Sequence, residues 1–362
     1  MKEVLKADMK ILLLGDYSAL QKNLQDGLIA LGHDTTLVSH GDGWKKISND
    51  ISLQSKRKGL LGKLDRKYIL PLKLLPKLTG YDIIQFIGPL LFSQSFGYNE
   101  KLISYLIKHN KKSFLLAAGD NSIYWDNKHK LRYWQNEEAR AIDGETKYIW
   151  AKTRMKRWNY KMANMVDGII PITYSYAIGH EQFKNLCNTI PIPVDISKIQ
   201  YKENLVKDKI IIFHGLNRVG FKGTRYIKKA MEIIKERYPD KVDIIIKGNI
   251  PLEEYLRVIK RSNIIIDQAF SYGYGVNGAF SLALGKVTLS GCEPEFLAEF
   301  KIDSSPVINI LPDVDQIVNI LEDLVLHPEK IPAIGVESRK YAEELHDYKK
   351  IAQRYVDTWN NA

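Results

Sequence analysis

Hydrophobic and polar positions alternate with two different periods along this chain. Short, continuous apolar runs end in small or polar residues, and each is followed by a stretch in which apolar residues recur every three or four positions. The first helical stretch shows this spacing at Leu20, Leu24, Leu28 and Leu31, with Ser18 as the predicted N-cap. Buried parallel strands that are covered by helices on both faces give this pattern, so it predicts an α/β fold.

The alternation occurs in two series, and each series predicts one sheet. The predicted strands of the first are Lys10–Leu14, Thr36–Ser39, Asp82–Phe86, Ser113–Ala117 and Gly168–Pro171. Those of the second are Lys209–Phe213, Val242–Ile246, Asn263–Asp267, Lys286–Leu289 and Val307–Ile310. The predicted helices of the second series are Thr224–Tyr238, Leu252–Lys260, Gly278–Leu284 and Asp313–Leu326. Two series of this kind predict two doubly wound, Rossmann-like domains.

A connector that contains prolines separates the two series. In IPIPVDISKIQYKENLVKDK, Pro191 and Pro193 restrict the backbone in a way that suits a linker. We therefore expect a first domain over residues 9–195 and a second over residues 205–336. One long aromatic helix, predicted from Glu337 to Trp359 within residues 337–360, either caps the second domain or returns to the first.

Composition favours a folded protein with anionic partners. The chain has 362 residues, of which 45% are hydrophobic, and a net charge of +11. Cys187 and Cys292 match no metal-ligand spacing, which is typical of a reduced, cytoplasmic protein. The apolar run Ile11–Leu14 is too short for a signal-peptide core or a membrane span.

Positive charge is concentrated in one stretch, Lys56–Lys77. It holds eight Lys or Arg and a single acid, Asp65, interleaved with leucines. Such a stretch either binds the inner face of an anionic membrane or forms a solvated helix whose leucines face the core. Nucleic acid is not an expected partner, because the sequence contains no zinc-finger spacing or RNP-type signature.

The segment FHGLNRVGFKG, Phe213 to Gly223, links the first strand of the second series to its first helix. Ligands of open parallel sheets bind at this carboxyl end of the strands. Gly215 and Gly220 permit close approach of the backbone, Arg218 can bind a phosphate through two hydrogen bonds, and Lys222 adds a charge before the helix. A diphosphate site is one interpretation, and a solvated basic turn is the other.

A second glycine-rich turn, SYGYGVNGAFSLALGK, contains G-x-G-x-x-G at Gly273, Gly275 and Gly278. Taken alone it suggests a dinucleotide site with Glu293 as the acid. That fingerprint belongs directly after the first strand of a domain, whereas two strand-helix units precede this one. What the turn does predict is a helix N-terminus whose backbone amides face an anion.

In this order, HGLNRVGFKG, IIIKGNIPLEEY, NIIIDQ and YGYGVNGAFSLALGK resemble the nucleotide-sugar glycosyltransferases of the GT-B class, and most of all glycosyltransferase family 4. The similarity covers most of residues 9–360. It implies two domains that face each other across a cleft, and transfer of a sugar with retention of configuration. It also implies that no metal and no cofactor is needed, with a nucleotide diphosphate sugar as the donor substrate. The sequence itself gives no zinc signal at His180–Glu181 either, because the second histidine of the H-E-x-x-H motif is missing.

The resemblance also implies roles for individual residues. Arg218 and Lys222 contact the donor diphosphate and neutralise the charge on the leaving group. Asp120, in LLAAGDNSIYW, either faces the transferred sugar or caps a turn. The candidate catalytic residues are thus Asp120, Arg218 and Lys222. The candidate donor-binding residues are Gly15, Asp16, Tyr17, Gly215, Asn217, Arg218, Lys222, Lys247, Gly248, Tyr274, Gly275, Asn277, Gly278 and Glu293.

Two positions depart from the family. Family 4 members usually carry an E-x7-E pair, and this chain has Tyr272 and Phe280 at those positions. Glu293 and Glu295, in the loop that follows, are the nearby carboxylates that could replace them. Four tryptophans between Asn121 and Tyr160 either pack in the core or stack on sugar or lipid.

These observations predict a metal-independent hexosyltransferase of cell-surface polysaccharide or glycolipid synthesis. The expected acceptor is a saccharide or a lipid-linked saccharide. Two alternatives stay open: a catalytically silent GT-B protein that binds a sugar nucleotide or glycan for a partner enzyme, and an NAD(P)-dependent oxidoreductase.

Overall fold

The structure is a computed structural model that describes residues 8–43, 47–132, 149–216, 218–248 and 250–362. Within these residues the chain forms two α/β domains, each built on a parallel sheet. The fold is therefore of the class that the alternating pattern predicted.

The first domain contains a six-stranded sheet of order β3-β2-β1-β4-β5-β6. Its strands are β1 Lys10–Leu14, β2 Asp34–Ser39, β3 Ile51–Ser52, β4 Ile83–Phe86, β5 Lys112–Ala117 and β6 Gly168–Pro171. All pairings are parallel, with Leu12 opposite Thr36 on one side and Ile84 on the other. Strand β3 is not among the predicted strands, because two residues are too short to show a hydrophobic period.

The second domain contains a five-stranded sheet of order β11-β10-β9-β7-β8. Its strands are β7 Ile210–Gly215, β8 Val242–Lys247, β9 Ile264–Ile266, β10 Val287–Ser290 and β11 Ile308–Asn309. These pairings are also parallel. Strand β7 runs two residues beyond its predicted end, since His214 and Gly215 still pair with β8, so the following loop begins at Leu216.

Helices cover both faces of each sheet. In the first domain they are α1 Leu20–Ala30, α2 Gly59–Leu64, α3 Leu70–Leu74, α4 Tyr98–Lys108, α5 Ser122–Asp126, α6 Thr153–Met165 and α7 Tyr174–His180. In the second they are α8 Thr224–Arg237, α9 Leu252–Arg261, α10 Val276–Ala283, α11 Pro294–Phe300 and α12 Val314–Leu326. Helices α13 Lys330–Leu345 and α14 Tyr348–Asn361 end the chain.

Helix α1 does not begin as the sequence predicted. Its N-cap position is Ala19, and both Ser18 and Ala19 have positive φ, so the Ser18 side chain does not cap the helix. The carboxylate of Asp16 instead accepts a hydrogen bond from the amide of Gln21 at 2.9 Å. The predicted N-cap was wrong because the chain turns sharply after β1 and brings Asp16 over the first turn.

The C-terminal region forms two helices where the pattern predicted one. The break lies at His346 and Asp347, where the Asp347 side chain accepts hydrogen bonds from the amides of Lys349 and Lys350 and starts α14. The buried His346 ring contacts the carbonyl of Ile192 at 2.8 Å, which fixes the direction change. The His346–Ile192 contact joins residues 154 positions apart, so periodicity does not reveal it.

Helix α14 returns to the first domain. Trp359 is fully buried, and its ring lies 6.2 Å from that of Phe114 on β5. Lys112 donates a hydrogen bond to the carbonyl of Trp359 at 3.0 Å. At Gly27 on α1 an added Cβ would lie 2.3 Å from the carbonyl oxygen of Tyr348, so only glycine permits this close packing.

Candidate active site

A cleft of about 1310 Å³ lies where the carboxyl ends of the two sheets face each other. Residues from both domains line it, and eight of the predicted site residues are among them. These eight are Tyr17, Asp120, Gly215, Arg218, Lys222, Tyr274, Gly275 and Asn277. The topology thus brings two separate loops of the second domain to one wall and two loops of the first domain to the opposite wall.

Lys222 lies deep in the wall formed by the second domain. Its ammonium group contacts the carboxylate of Asp267 at 2.8 Å, and the two side chains are 13% and 2% exposed. Asp267 directly follows strand β9, so it sits at the same edge of the sheet as the loop after β7. A cation and a carboxylate therefore share the floor of the cleft.

Asp267 also contacts the glycine-rich turn. Its carboxylate accepts a hydrogen bond from the side-chain amide of Asn277 at 2.9 Å and from the backbone amide of Gly275 at 3.4 Å. Burial alone raises the pKa of Asp267, but the charge and the hydrogen bond of Lys222 outweigh it, together with these two amides, and hold the pKa below its usual value. The carboxylate is therefore ionised at neutral pH.

Arg218 occupies the mouth of the cleft. Its guanidinium stacks on the ring of Phe221 at 3.8 Å and contacts the carboxylate of Asp120 across the cleft at 3.2 Å. The Arg218 side chain is 41% exposed, and its backbone has a φ of 58°. Unlike Lys222, Arg218 is thus held partly by the opposite domain.

Helix α10 points its N-terminus into the cleft, and the glycine-rich turn precedes it. Gly275 is the N-cap residue, and Asn277 in the first turn accepts a hydrogen bond from the hydroxyl of Tyr255. Tyr274 is buried, and its hydroxyl contacts the hydroxyl of Tyr341 at 3.0 Å and the His346 ring at 2.8 Å. The turn is thereby anchored from α9 on one side and from α13 and its end on the other.

Six predicted residues lie outside the lining of this cleft, as far as the described chain defines it. They are Gly15, Asp16, Lys247, Gly248, Gly278 and Glu293. Lys247 contacts Glu254 at 3.2 Å, and Glu293 is buried between Arg132 at 3.0 Å and Asn309 at 2.9 Å. Asn217 lies outside the described residues.

Asp16 is a buried carboxyl group whose burial is only partly compensated by hydrogen bonds. It is 6% exposed, its Oδ1 accepts the Gln21 amide, and its Oδ2 has no hydrogen-bond partner among the described residues. Burial, with a smaller contribution from the charge of Asp42, raises its pKa to about 6, although backbone amides such as that of Gln21 act in the opposite direction. Asp16 shapes the turn after β1 and lies behind Tyr17, which does line the cleft.

The two positions that depart from the E-x7-E pair have different surroundings. Phe280 lines the cleft, whereas Tyr272 is 2% exposed and its hydroxyl accepts a hydrogen bond from the amide of Arg132 at 2.5 Å. Tyr272 also packs against Tyr174, with 5.2 Å between ring centroids. Tyr272 thus forms a contact between the domains, and Phe280 gives the wall formed by the second domain an apolar surface.

The described tryptophans of this segment divide between the cleft and the core. Trp125 and Trp150 line the cleft on the side of the first domain. Trp158 packs in the core, where its indole donates a hydrogen bond to the carbonyl of Pro89 at 2.8 Å. Trp134 lies outside the described residues.

His214 is a structural residue at the end of β7. Its two ring nitrogens contact the carbonyl of Ile266 and the hydroxyl of Thr224, both at 2.8 Å. Burial, with a smaller effect from the Lys222 charge, lowers its pKa to about 4, so it is neutral at physiological pH. In the described parts of the chain, no three His, Cys, Asp or Glu side chains lie close enough together to hold a metal ion.

Asp267 and Tyr255 are site residues that the sequence analysis missed. Asp267 was included in a predicted strand as its last residue, although a polar residue at the carboxyl end of a parallel strand is itself a signal for a ligand site. Tyr255 lies within the predicted helix Leu252–Lys260 and was not singled out there. Its contact with Asn277 spans 22 residues, which spacing within one element does not show.

The two parallel-sheet domains, the cleft between them and the returning C-terminal helix define the GT-B fold. Structural comparison supports this assignment. Sucrose-phosphate synthase from Thermosynechococcus elongatus is similar at a TM-score of 0.66, with 14% identity over 97% of this chain and 98% of that one. Anabaena HepE, in complex with UDP and glucose, has a TM-score of 0.62, with 13% identity over 98% and 100% of the two chains.

An epimerase has the same architecture as these two proteins. UDP-GlcNAc 2-epimerase from Neisseria meningitidis, bound to UDP-GlcNAc, has a TM-score of 0.56, with 13% identity over 98% of this chain and 100% of that one. No family model matches the sequence, and no curated protein is significantly similar to it. At these identities the comparisons establish the fold alone.

Proposed function

We propose that this chain is a glycosyltransferase that moves a hexosyl group from a nucleotide diphosphate donor to a saccharide acceptor. The observation that carries the proposal is the donor wall, where Arg218, Lys222 and the N-terminus of helix α10 converge on one side of the cleft. Cations and free backbone amides at a helix N-terminus are the groups that bind diphosphates. The UDP and UDP-sugar complexes of HepE and the epimerase support a nucleotide-sugar ligand for this fold.

The proposed reaction retains the anomeric configuration and needs neither a metal nor a cofactor. Negative charge grows on the diphosphate as the bond to the sugar breaks, and Lys222 and Arg218 stabilise that charge from fixed positions. Asp120 lies beside Arg218 on the opposite wall, where we place the transferred sugar. Trp125 and Trp150 supply aromatic surface for the acceptor saccharide on the same wall.

Ligand screening tests the proposal directly. UDP, GDP, ADP and NAD are compared for their effect on thermal unfolding, because a ligand at 100 times its Kd adds about 2.7 kcal/mol to stability. We expect a nucleoside diphosphate to raise the Tm and NAD to leave it unchanged. The Lys222→Ala protein should lose the shift, whereas Lys229→Ala, an exposed lysine on α8, should keep it. Equal shifts in both variants would contradict the diphosphate assignment.

A catalytically silent nucleotide-binding protein is the second candidate. The structure favours it at one point, because neither Tyr272 nor Phe280 supplies the carboxylate that the family uses to bind the donor. Donor turnover separates the two candidates. Release of UDP or GDP from a nucleotide sugar, faster than in the Lys222→Ala protein, would exclude a pure binding module.

The oxidoreductase alternative rests on the G-x-G-x-x-G motif, and packing explains two of its three glycines without a dinucleotide. An added Cβ at Gly273 would lie 2.3 Å from the Phe296 ring, and one at Gly278 would lie 2.6 Å from Tyr274. Side-chain packing therefore explains two glycines of G-x-G-x-x-G, Gly273 and Gly278. The remaining one, Gly275, precedes a helix whose N-terminus suits the diphosphate of a nucleotide sugar as well as that of a dinucleotide.

We further propose that the protein acts at the cytoplasmic face of a membrane, where polysaccharide or glycolipid intermediates are built. In Lys56–Lys77, Leu60 and Leu61 are 73% and 68% exposed, and neither Arg66 nor Lys67 has an ion-pair partner among the described residues. Large exposed leucines beside unpaired cations suit an anionic lipid surface. In the described chain, no helix is both long and apolar enough to cross a bilayer, so the proposed contact is peripheral.

Sedimentation with anionic vesicles tests this part. We expect binding at low salt that weakens as salt rises, because the cations lie within a Debye length of the surface. Leu60→Ser with Leu61→Ser should reduce binding, whereas Ile29→Ser, which removes a similarly exposed apolar side chain from α1, should not. Equal binding by all of these proteins would remove the membrane proposal.

A further inference from the structure

Asp267 is the point at which three segments of the donor wall meet. It directly follows β9, and its carboxylate contacts Lys222 from the loop after β7 at 2.8 Å. The same carboxylate accepts hydrogen bonds from Asn277 at 2.9 Å and from the Gly275 amide at 3.4 Å. These three groups are the ones we expect to face the donor diphosphate, and one residue connects all of them.

The chemistry of this position requires a carboxylate. Each of its three partners is a donor, and an ionised carboxylate is the side chain that accepts through both oxygens and donates through neither. An asparagine of the same size offers one accepting oxygen and would turn its amide towards another donor. Asp267 is 2% exposed, so water cannot replace a contact that is lost.

Stability alone does not account for an ion pair at this place. Buried pairs can be exchanged for apolar side chains of similar volume with little loss, because desolvation offsets most of the attraction. Here the pair lies in the cleft lining and not in either apolar core. The geometry leaves the remaining protons of the Lys222 ammonium for a ligand while fixing its nitrogen.

We propose that Asp267 is the positioning residue of the donor site and acts through Lys222. It holds the ammonium group, and with it the start of helix α10, at the place where the diphosphate binds. The inference rests on the proposed function, since it takes the diphosphate as the ligand of this wall. It assigns a role to a residue that the sequence pattern did not single out.

Binding of UDP and of uridine to the Asp267→Asn protein tests this role. A charge-assisted hydrogen bond is worth about 1.5 to 3 kcal/mol, which corresponds to about a tenfold to a hundredfold change in affinity. We expect Asp267→Asn to weaken UDP about tenfold in titration calorimetry and to leave uridine, which lacks the diphosphate, within twofold of wild type. Equal weakening of both ligands would show a general structural effect and overturn the proposal.

A double-mutant cycle with Lys222→Met tests whether Asp267 acts through Lys222. Once the ammonium group is gone, Asp267→Asn can affect UDP only through its contacts with Asn277 and Gly275, so the double variant should bind UDP no more than about threefold more weakly than Lys222→Met. Independent losses that multiply would overturn the proposal. Asp167→Asn is the matched control, because Asp167 accepts hydrogen bonds from Ser113 at the far edge of the first sheet. It should bind UDP as wild type does.

If Asp267→Asn does not fold, Asn277→Ala provides a second test of the same role. This variant removes one donor to Asp267 at the start of α10 without uncovering a charge, and we expect a loss of UDP affinity of about threefold with uridine unchanged. No loss of UDP affinity in this variant would count against the proposal.

Binding of UDP to the wild-type protein separates failure of the proposed function from failure of the positioning role. If the wild-type protein binds neither UDP nor GDP, the proposed function fails, and the positioning role fails with it. If UDP binds normally but Asp267→Asn has no effect, only the positioning role fails.

Discussion

Asp16 and Asp267 are two buried aspartates, one in each domain. Each follows a central strand at the carboxyl edge of its sheet, and they are 6% and 2% exposed. Asp267 has a cation and two amide donors, and its pKa lies below the usual value. Asp16 has the Gln21 amide and one oxygen without a described partner, and burial raises its pKa to about 6. Burial is nearly the same, so the neighbouring donors decide whether the pKa of each carboxyl group lies above or below its usual value.

The comparison shows that the two walls of the cleft are built differently. The second domain places its charges in fixed, mutually compensating positions, which is what a preorganised anion site requires. The first domain buries a carboxyl group that stabilises a turn, and it lines the cleft with Tyr17, Asp120 and aromatic side chains. The asymmetry agrees with a diphosphate on one wall and a saccharide on the other.

The largest expected effect comes from removing the cation at Asp267. Lys222→Met leaves a carboxylate buried without its charge partner, and we expect the free energy of unfolding to fall by about 3 kcal/mol at pH 7.5. Asp267→Asn should cost less, because the Lys222 side chain is 13% exposed and can turn towards the cleft. Urea unfolding of both variants measures the difference. A larger loss of stability in Asp267→Asn than in Lys222→Met would show that the lysine is the more constrained partner, and the expected order of the two variants would be reversed.

The sequence predicted the framework of both walls but not the contacts that tune them. Continuous apolar runs placed the predicted strands close to their observed positions, because a buried parallel strand leaves a local signature. The glycines and cations of the loop after β7 were also visible. The Lys222–Asp267 contact joins residues 45 positions apart, and the Tyr274–His346 contact joins residues 72 apart. Such contacts depend on the order of strands in the sheet, which a single sequence does not contain.

Asp16→Asn is expected to raise the free energy of unfolding, by less than Lys222→Met lowers it. The folded-state pKa of about 6 exceeds the ordinary value of 3.8, so ionisation costs stability as the pH rises from 3.8 to 6, and the cost is complete above 6. Asparagine keeps an oxygen for the Gln21 amide and carries no charge. We therefore expect a gain of about 1 to 2 kcal/mol at pH 8 that disappears towards pH 4.

Urea unfolding of wild type and Asp16→Asn at several pH values between 4.5 and 8 provides the measurement. Gln21→Ala is the useful companion, since it removes the neighbouring amide side chain without changing a charge and should give a pH-independent difference. A gain in Asp16→Asn that is the same at every pH would mean that Asp16 is ionised throughout, like Asp267, and the contrast between the two would be lost.

The smallest expected effect concerns a third aspartate beyond a strand end, Asp120. Its contact with Arg218 at 3.2 Å crosses the cleft, and the side chains are 14% and 41% exposed. Exposed pairs contribute about 0.2 to 1 kcal/mol and are screened by salt. A double-mutant cycle of Asp120→Asn and Arg218→Gln should give a coupling in that range at low salt and a smaller one at 0.5 M salt. A coupling as large as that expected for Lys222 and Asp267 would mean that the two walls are joined as firmly as the donor wall is held within itself, and the cleft would then have to break this pair to admit a ligand.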